Sequence, residues 1–201
     1  MKLRHAFVLI LLMAVPRPIF AHGLIGNELS AGSSNPIAGW DHLVAIIAVG
    51  IVSTKMDGRS IWGVLLLFLP SIAVGYSIGI QHVIWPYAEW GVPLSLVGLG
   101  LLMTLPRRPQ LLVVSLTILL FGMSHGYAHG IEWIDKTSGW WHSLGFLGIT
   151  IGVYIMGVIL GLLCREVNDP TRSFALAGTG MMTAGVVLML FSLVQNGGIL
   201  L

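Results

Sequence analysis

Six long apolar runs dominate this sequence, near residues 38–54, 60–80, 90–105, 111–130, 142–163 and 173–194, with only short connections between them. A helix of about 20 residues crosses the ~30 Å hydrocarbon layer of a bilayer. The first and third runs are slightly short by that measure. In lipid every backbone N–H and C=O must be paired internally, so only helices or a closed barrel can span it. The runs are continuous and do not alternate with period two, which selects helices. Charge points the same way. Only 9% of residues are charged, against about 25% in an ordinary soluble domain, too few to cover a water-facing surface. The expected fold class is therefore all-α, a polytopic membrane helical bundle of six transmembrane helices with lipid as its solvent. No linker or second domain interrupts residues 22–201. The lone Cys164 excludes an intrachain disulfide or a CxxC metal site. The net charge of +2 is scattered, with no basic run, and no nucleic-acid partner is expected.

Residues 1–21 read as a signal peptide. Lys2, Arg4 and His5 form a basic region, and Ala6 to Val15 is too short an apolar stretch to span. Pro16-Arg17-Pro18 breaks any helix, and Ile19-Phe20-Ala21 offers a cleavage site before His22. The other reading is an uncleaved anchor or interfacial segment. Cleavage would make His22 the first residue, where its α-amine and imidazole can grip a metal together.

The basic residues set an orientation. With the mature N-terminus outside, Lys55, Arg59, Arg107, Arg108, Arg165 and Arg172 fall in inner loops and Lys136 in an outer one. Six against one gives N-out, C-out by the positive-inside rule. Gly75/Gly79, Gly148/Gly152 and Gly157/Gly161 have the small-xxx-small spacing that lets membrane helices approach closely, and the fourth run carries Gly122, Gly126 and Gly130 in tandem. Such seams pack helices and would also permit a homo-oligomer.

On this topology His22, His42, His82, His125, His129 and His142 all lie in the outer half or outer loops. The carboxylates lean the same way: Glu28, Asp41, Glu89, Glu132 and Asp135 are outside, against Asp57, Glu166 and Asp169 inside. Imidazole suits transition metals, and carboxylates lend negative charge to a cation site. An ionisable residue inside a membrane is costly and marks function by default. His125, His129 and Glu132 stand at i, i+4 and i+7, on one helix face. The glycine row lies about a quarter turn away, so this helix can pack through glycine and present two imidazoles beside the seam. Asp41-His42 sits at similar depth in the first run, and the two groups can meet inside the bundle.

Each residue also has a structural reading. A histidine within a bundle can serve as an interhelical hydrogen-bonding group. His142 adjoins Trp140 and Trp141, as in an interfacial aromatic belt, and is a ligand candidate beside that role. His82, near Trp85, reads as structural. Glu89 opens the third run and either attracts cations or caps the helix. Glu132 is either a ligand or a solvated loop residue. Gly122-Met123-Ser124-His125-Gly126 fits G-x-S-x-G, but that motif needs a strand–turn–helix that a membrane helix cannot offer. An intramembrane serine hydrolase built on Ser124 is the remaining version of it.

Two segments carry a family resemblance. Asn35-Pro36-Ile37-Ala38-Gly39-Trp40-Asp41-His42, followed by Gly50, resembles the HPxxGxDH signature of the HupE/UreJ family of nickel/cobalt transporters. His125-Gly126-Tyr127-Ala128-His129-Gly130-Ile131-Glu132 resembles its second signature, HGxAHGxE. Pro86 to Ser95, with Glu89, is similar to the family's third span, and His22-Gly23 to its early His-Gly. Asn35 stands where the family has histidine, and an amide carbonyl is a weaker, harder ligand than imidazole. The resemblance implies secondary uptake of a divalent metal, nickel or cobalt ahead of zinc, by a multi-pass protein of the bacterial inner membrane. It implies a metal site drawn from His22, Asp41, His42, Glu89, His125, His129, Glu132 and His142. No GxxxxGK[ST] loop is present to couple ATP hydrolysis. Two other function classes stay open at this point. One is a membrane metalloenzyme using the same ligands, although EXXH pairs are absent. The other is an accessory or sensor protein that binds metal without moving it.

Overall fold

The computed structural model describes residues 39–56, 58–85, 88–132 and 140–197, and the side chains of Glu89, Glu132, His142 and a few other helix-end residues lie outside that description. The proposed signal peptide, His22 and Asn35 also lie outside it. The described residues form six helices and no strand: α1 (Trp40–Lys55), α2 (Gly58–Ile80), α3 (Ala88–Thr104), α4 (Leu111–Glu132), α5 (Trp140–Glu166) and α6 (Pro170–Gly197). Each expected run is matched by one helix, and the ends agree within four residues.

Four helices, α2, α4, α5 and α6, contain spans long and apolar enough to cross a membrane. α1, at 16 residues, and α3, at 17, are shorter. The outer surface of the bundle is apolar: Leu66, Leu112 and Val194 are 72%, 68% and 73% exposed. A water-soluble bundle hides such residues, whereas a lipid-facing one presents them. This is a multi-pass membrane protein.

Short connections make chain neighbours antiparallel, yet the closest packing joins helices that are not neighbours in sequence. α2 lies against α4, α3 against α6, and α1 against α5. Glycine allows each pairing. A Cβ on Gly75 would strike the Met123 carbonyl, and one on Gly126 the Ile72 carbonyl, so α2 and α4 touch backbone to backbone. Gly50 meets Tyr154 and Gly157 in the same way, and Gly161 meets Ile51 and Thr54. Contacts that advance together along both helices make α2–α4 and α1–α5 parallel pairs. In α3–α6, Gly100 meets Gly178 and Pro93 meets Gly185, an antiparallel pairing. In lipid there is little hydrophobic drive between helices, so this close approach supplies the dispersion contacts that hold them.

One expected seam meets no helix among the described residues. None of those residues lies within 4 Å of a Cβ built on Gly148 or Gly152. α5 buries Phe146, Thr150, Val153, Tyr154 and Gly157, and Gly148 and Gly152 fall on its opposite face. The spacing fixes that the two glycines share a face, but not that a helix of this chain covers it.

Tyr127 donates to the Val83 carbonyl and accepts from the Trp85 N–H near His125, and further polar ties lie at the bundle end remote from it. Lys55, at the end of α1, donates to the carbonyls of Leu102 (3.2 Å), Met103 (2.6 Å) and Leu105, and its Nζ lies 5.7 Å from the Phe174 ring centroid. It thereby caps the C-terminus of α3, where unpaired carbonyls and the helix dipole favour a cation. Arg165 donates to the Thr54 carbonyl at 3.2 Å, tying α5 to the end of α1. Tyr154 donates to the Ile61 carbonyl at 2.6 Å, tying α5 to α2. Asp169 begins α6 as an N-cap, accepting from the Arg172 N–H at 3.0 Å, with Pro170 in the first helical position.

Candidate metal centre

The α1 half of the site starts at a glycine. Gly39 precedes the helix with extended dihedrals, and its carbonyl accepts the Leu43 N–H at 3.0 Å. A Cβ there would stand 3.0 Å from His42 Nδ1 and 3.3 Å from the Asp41 carboxylate. Glycine leaves room for the pair to meet. Asp41 lies in the first turn, where the helix dipole favours a negative charge. Its Oδ1 is 3.0 Å from His42 Nδ1. A carboxylate so placed holds the proton on Nδ1 and leaves Nε2 with its lone pair free for a metal, as outer carboxylates do for metal-bound histidines.

The other half comes from α4. His125 and His129 are one turn apart and project from the same face. The glycine row beside them presses α4 against α2 and keeps that face aimed into the bundle. The three rings converge, with centroids 4.7 Å apart for His42–His125, 5.0 Å for His42–His129 and 4.8 Å for His125–His129. One ring nitrogen from each lies within 4.8 Å of the others. Metal–nitrogen bonds of ~2.0–2.1 Å on one tetrahedral ion place nitrogens ~3.4 Å apart. Small rotations of the rings therefore close the site on an ion.

Burial grades across the cluster. The Asp41 and His42 side chains remain 33% and 16% exposed, while His125 is wholly buried and His129 nearly so. Around His125 stand the rings of Phe121 at 5.5 Å, Phe146 at 6.0 Å and Phe68 at 6.4 Å, and Phe68 stacks on Phe121 at 5.4 Å. The cluster thus has an approach past Asp41 and His42 and an aromatic floor beneath His125. His42 Nε2 and both ring nitrogens of His125 are buried without a hydrogen-bond partner among the described residues. A buried polar atom left unpaired costs ~1–3 kcal/mol, and buried polar groups are otherwise almost always satisfied. A divalent cation accepting the lone pair of His42 Nε2 and of one His125 nitrogen satisfies two of these three atoms.

The candidates from sequence therefore divide. His42, His125 and His129 come together, and Asp41 reaches the cluster through His42. Glu89, Glu132 and His142 belong to α3, α4 and α5, with side chains outside the described residues, as is the whole of His22. His82 sits apart on an exposed turn at φ 54°, its N–H donating to the Gly79 carbonyl at the end of α2, a structural place. Ser124 donates to the Leu120 carbonyl at 2.9 Å within its own helix and packs against Gly91 of α3. It lies mid-helix, without the strand–turn–helix that an activated serine needs. The aromatic floor was not anticipated. Phe121 stands one turn before His125 and Phe146 one turn after His142, a helical spacing that would have flagged them. Phe68 had no local signal.

The family described as HupE / UreJ protein matches this chain across residues 10–188. Protein HupE of Rhizobium leguminosarum bv. viciae is 28% identical over 179 residues, which cover 88% of this chain and 93% of that protein. No solved structure matches.

Proposed function

The chain belongs to the HupE/UreJ family, and from that premise we propose that it is a permease taking up a divalent transition metal, nickel or cobalt, across the bacterial inner membrane. The observation that carries this reading is the convergence of His42, His125 and His129, from two helices, on one buried point. The Asp41 and His42 edge faces outward in an N-out, C-out arrangement, after removal of residues 1–21. Its carboxylate gathers a dilute cation, and the three imidazoles replace part of the hydration shell. His22, Glu89, Glu132 and His142 are proposed to assist from the same side. Neutral imidazoles discriminate against hard, oxygen-preferring cations. Phe68 and Phe121 close the inner side of the site while the ion is held, and Phe146 flanks it from α5. Release then requires the floor, and the ties at Lys55, Arg165 and Tyr154 beyond it, to rearrange.

Uptake of radiolabelled nickel and cobalt into proteoliposomes tests the reading, with a His42→Ala/His129→Ala double variant alongside. Saturable uptake by the natural sequence that disappears in the variant supports it. Binding without uptake, in a folded and correctly oriented preparation, rejects transport in favour of an accessory or catalytic role.

A further inference from the structure

The cluster draws its histidines from α1 and α4 alone, but a third helix touches it. α5 contributes Phe146, which is 6% exposed. Its ring centroid is 4.9 Å from that of His129 at 64°, an edge-to-face contact, and 6.0 Å from that of His125 at 31°. Phe146 therefore bears on both α4 imidazoles at once, from the α5 side of the cluster. Edge-to-face contact is the favoured geometry for two aromatic rings and resists rotation of either. The helix that carries the ring is held in turn, because α5 packs closely on α1 where Gly50 meets Tyr154 and Gly157, where Gly157 meets Ile47 and where Gly161 meets Ile51 and Thr54.

We propose that Phe146 is a positioning and specificity-determining residue of the metal centre. It fixes the plane of His129 and covers the α5-facing side of the ion, so that water cannot complete an octahedral shell there. The apolar shell around a metal governs solvent access to it. Magnesium, calcium and manganese prefer six oxygen ligands in octahedral geometry, whereas imidazole-rich sites of low coordination suit later transition metals. Three neutral nitrogens select by softness, and Phe146 adds selection by coordination number. The inference rests on the three-histidine reading above, and it concerns a residue that supplies no ligand.

Visible spectroscopy of cobalt(II) tests it on the purified full chain. Natural protein, Phe146→Leu and His42→Ala are titrated with cobalt, and then with manganese as competitor. The natural protein is expected to give the intense ligand-field bands of low-coordinate cobalt, with manganese competing poorly. Phe146→Leu, still apolar but without the ring face, should keep binding cobalt. Its bands should weaken towards those of octahedral cobalt, its cobalt affinity should fall about 10-fold, and manganese should compete about 10-fold better. Unchanged bands and unchanged competition in Phe146→Leu overturn the proposal. If His42→Ala has meanwhile lost cobalt, the metal centre itself stands. Absence of cobalt binding by the natural protein overturns both. Should Phe146→Leu fail to fold, the natural protein decides alone, since octahedral-type bands there are incompatible with a covered ion.

Discussion

Replacing Asp41 by asparagine separates two roles that sequence alone leaves merged. Its carboxylate oxygen lies 3.0 Å from His42 Nδ1, so it acts on the ion through the imidazole. Adding the width of the ring and a metal–nitrogen bond places the carboxylate ~7 Å from a bound cation. At an effective dielectric of ~20, one negative charge attracts a divalent ion at that distance by ~5 kcal/mol. The side chain is 33% exposed, and solvent screening at least halves that figure to ~2–3 kcal/mol. This is a loss of ~30–150-fold in affinity, near the upper end of the ~10–100-fold seen when outer partners of metal ligands are removed. Asparagine keeps the shape and can still accept from Nδ1–H, so the fold should survive. Isothermal titration of nickel or cobalt into Asp41→Asn and His42→Ala, each checked for monodispersity, measures the effect. Asp41→Asn should bind with weakened affinity, and His42→Ala should lose far more. If Asp41→Asn is as severe as His42→Ala, Asp41 is a direct ligand and the relay argument is wrong. If it is silent, the 3.0 Å contact has no part in binding.

Other expectations follow from the same geometry. Imidazoles ligate only when neutral, so metal affinity should drop on acidification and binding should then release protons. Titrations in buffers of different ionisation enthalpy check this, and an affinity that acidification leaves unchanged contradicts it. Gly126→Ala should push α4 off the Ile72 carbonyl of α2, costing ~1–3 kcal/mol as overpacking does and separating the two halves of the site. Thermal denaturation and metal titration should fall together, and a variant of natural stability would show that the seam tolerates a methyl group. Lys55→Met should release the last carbonyls of α3. Loss of charged hydrogen bonds of this kind costs ~1.5–3 kcal/mol, read as earlier unfolding in denaturant with metal affinity kept, and Lys55→Arg should recover part of it.

Much of this architecture was legible because lipid imposes one rule on every residue. Continuous apolar runs had to be helices, and each run is one. The i, i+4 spacing placed His125 and His129 on one face, and their depth matched that of His42, so their meeting was readable. The glycine row of α4 was readable as a seam, but its partner was not, because residues that touch across α2 and α4 lie about 50 apart in sequence. Gly148 and Gly152 show the limit of the argument: small-xxx-small spacing describes one helix, and coverage is a property of two. Lys55 was read only as a topology charge, since its carbonyl partners come from another helix. Asp41 was counted with the ligands because adjacency does not reveal which atom faces which. The structure sets the Asp41 carboxylate 3.0 Å from His42 Nδ1. The phenylalanine floor is tertiary throughout, assembled from α2, α4 and α5.

X-ray absorption of the nickel-loaded protein probes the three-histidine centre itself, because scattering from imidazole rings counts the histidines on the ion. The expected spectrum has a nitrogen-dominated shell with the signature of His42, His125 and His129 together, and one imidazole fewer in His129→Ala. An oxygen-dominated shell, or a spectrum unmoved by His129→Ala, would contradict it and return these histidines to structural service between helices.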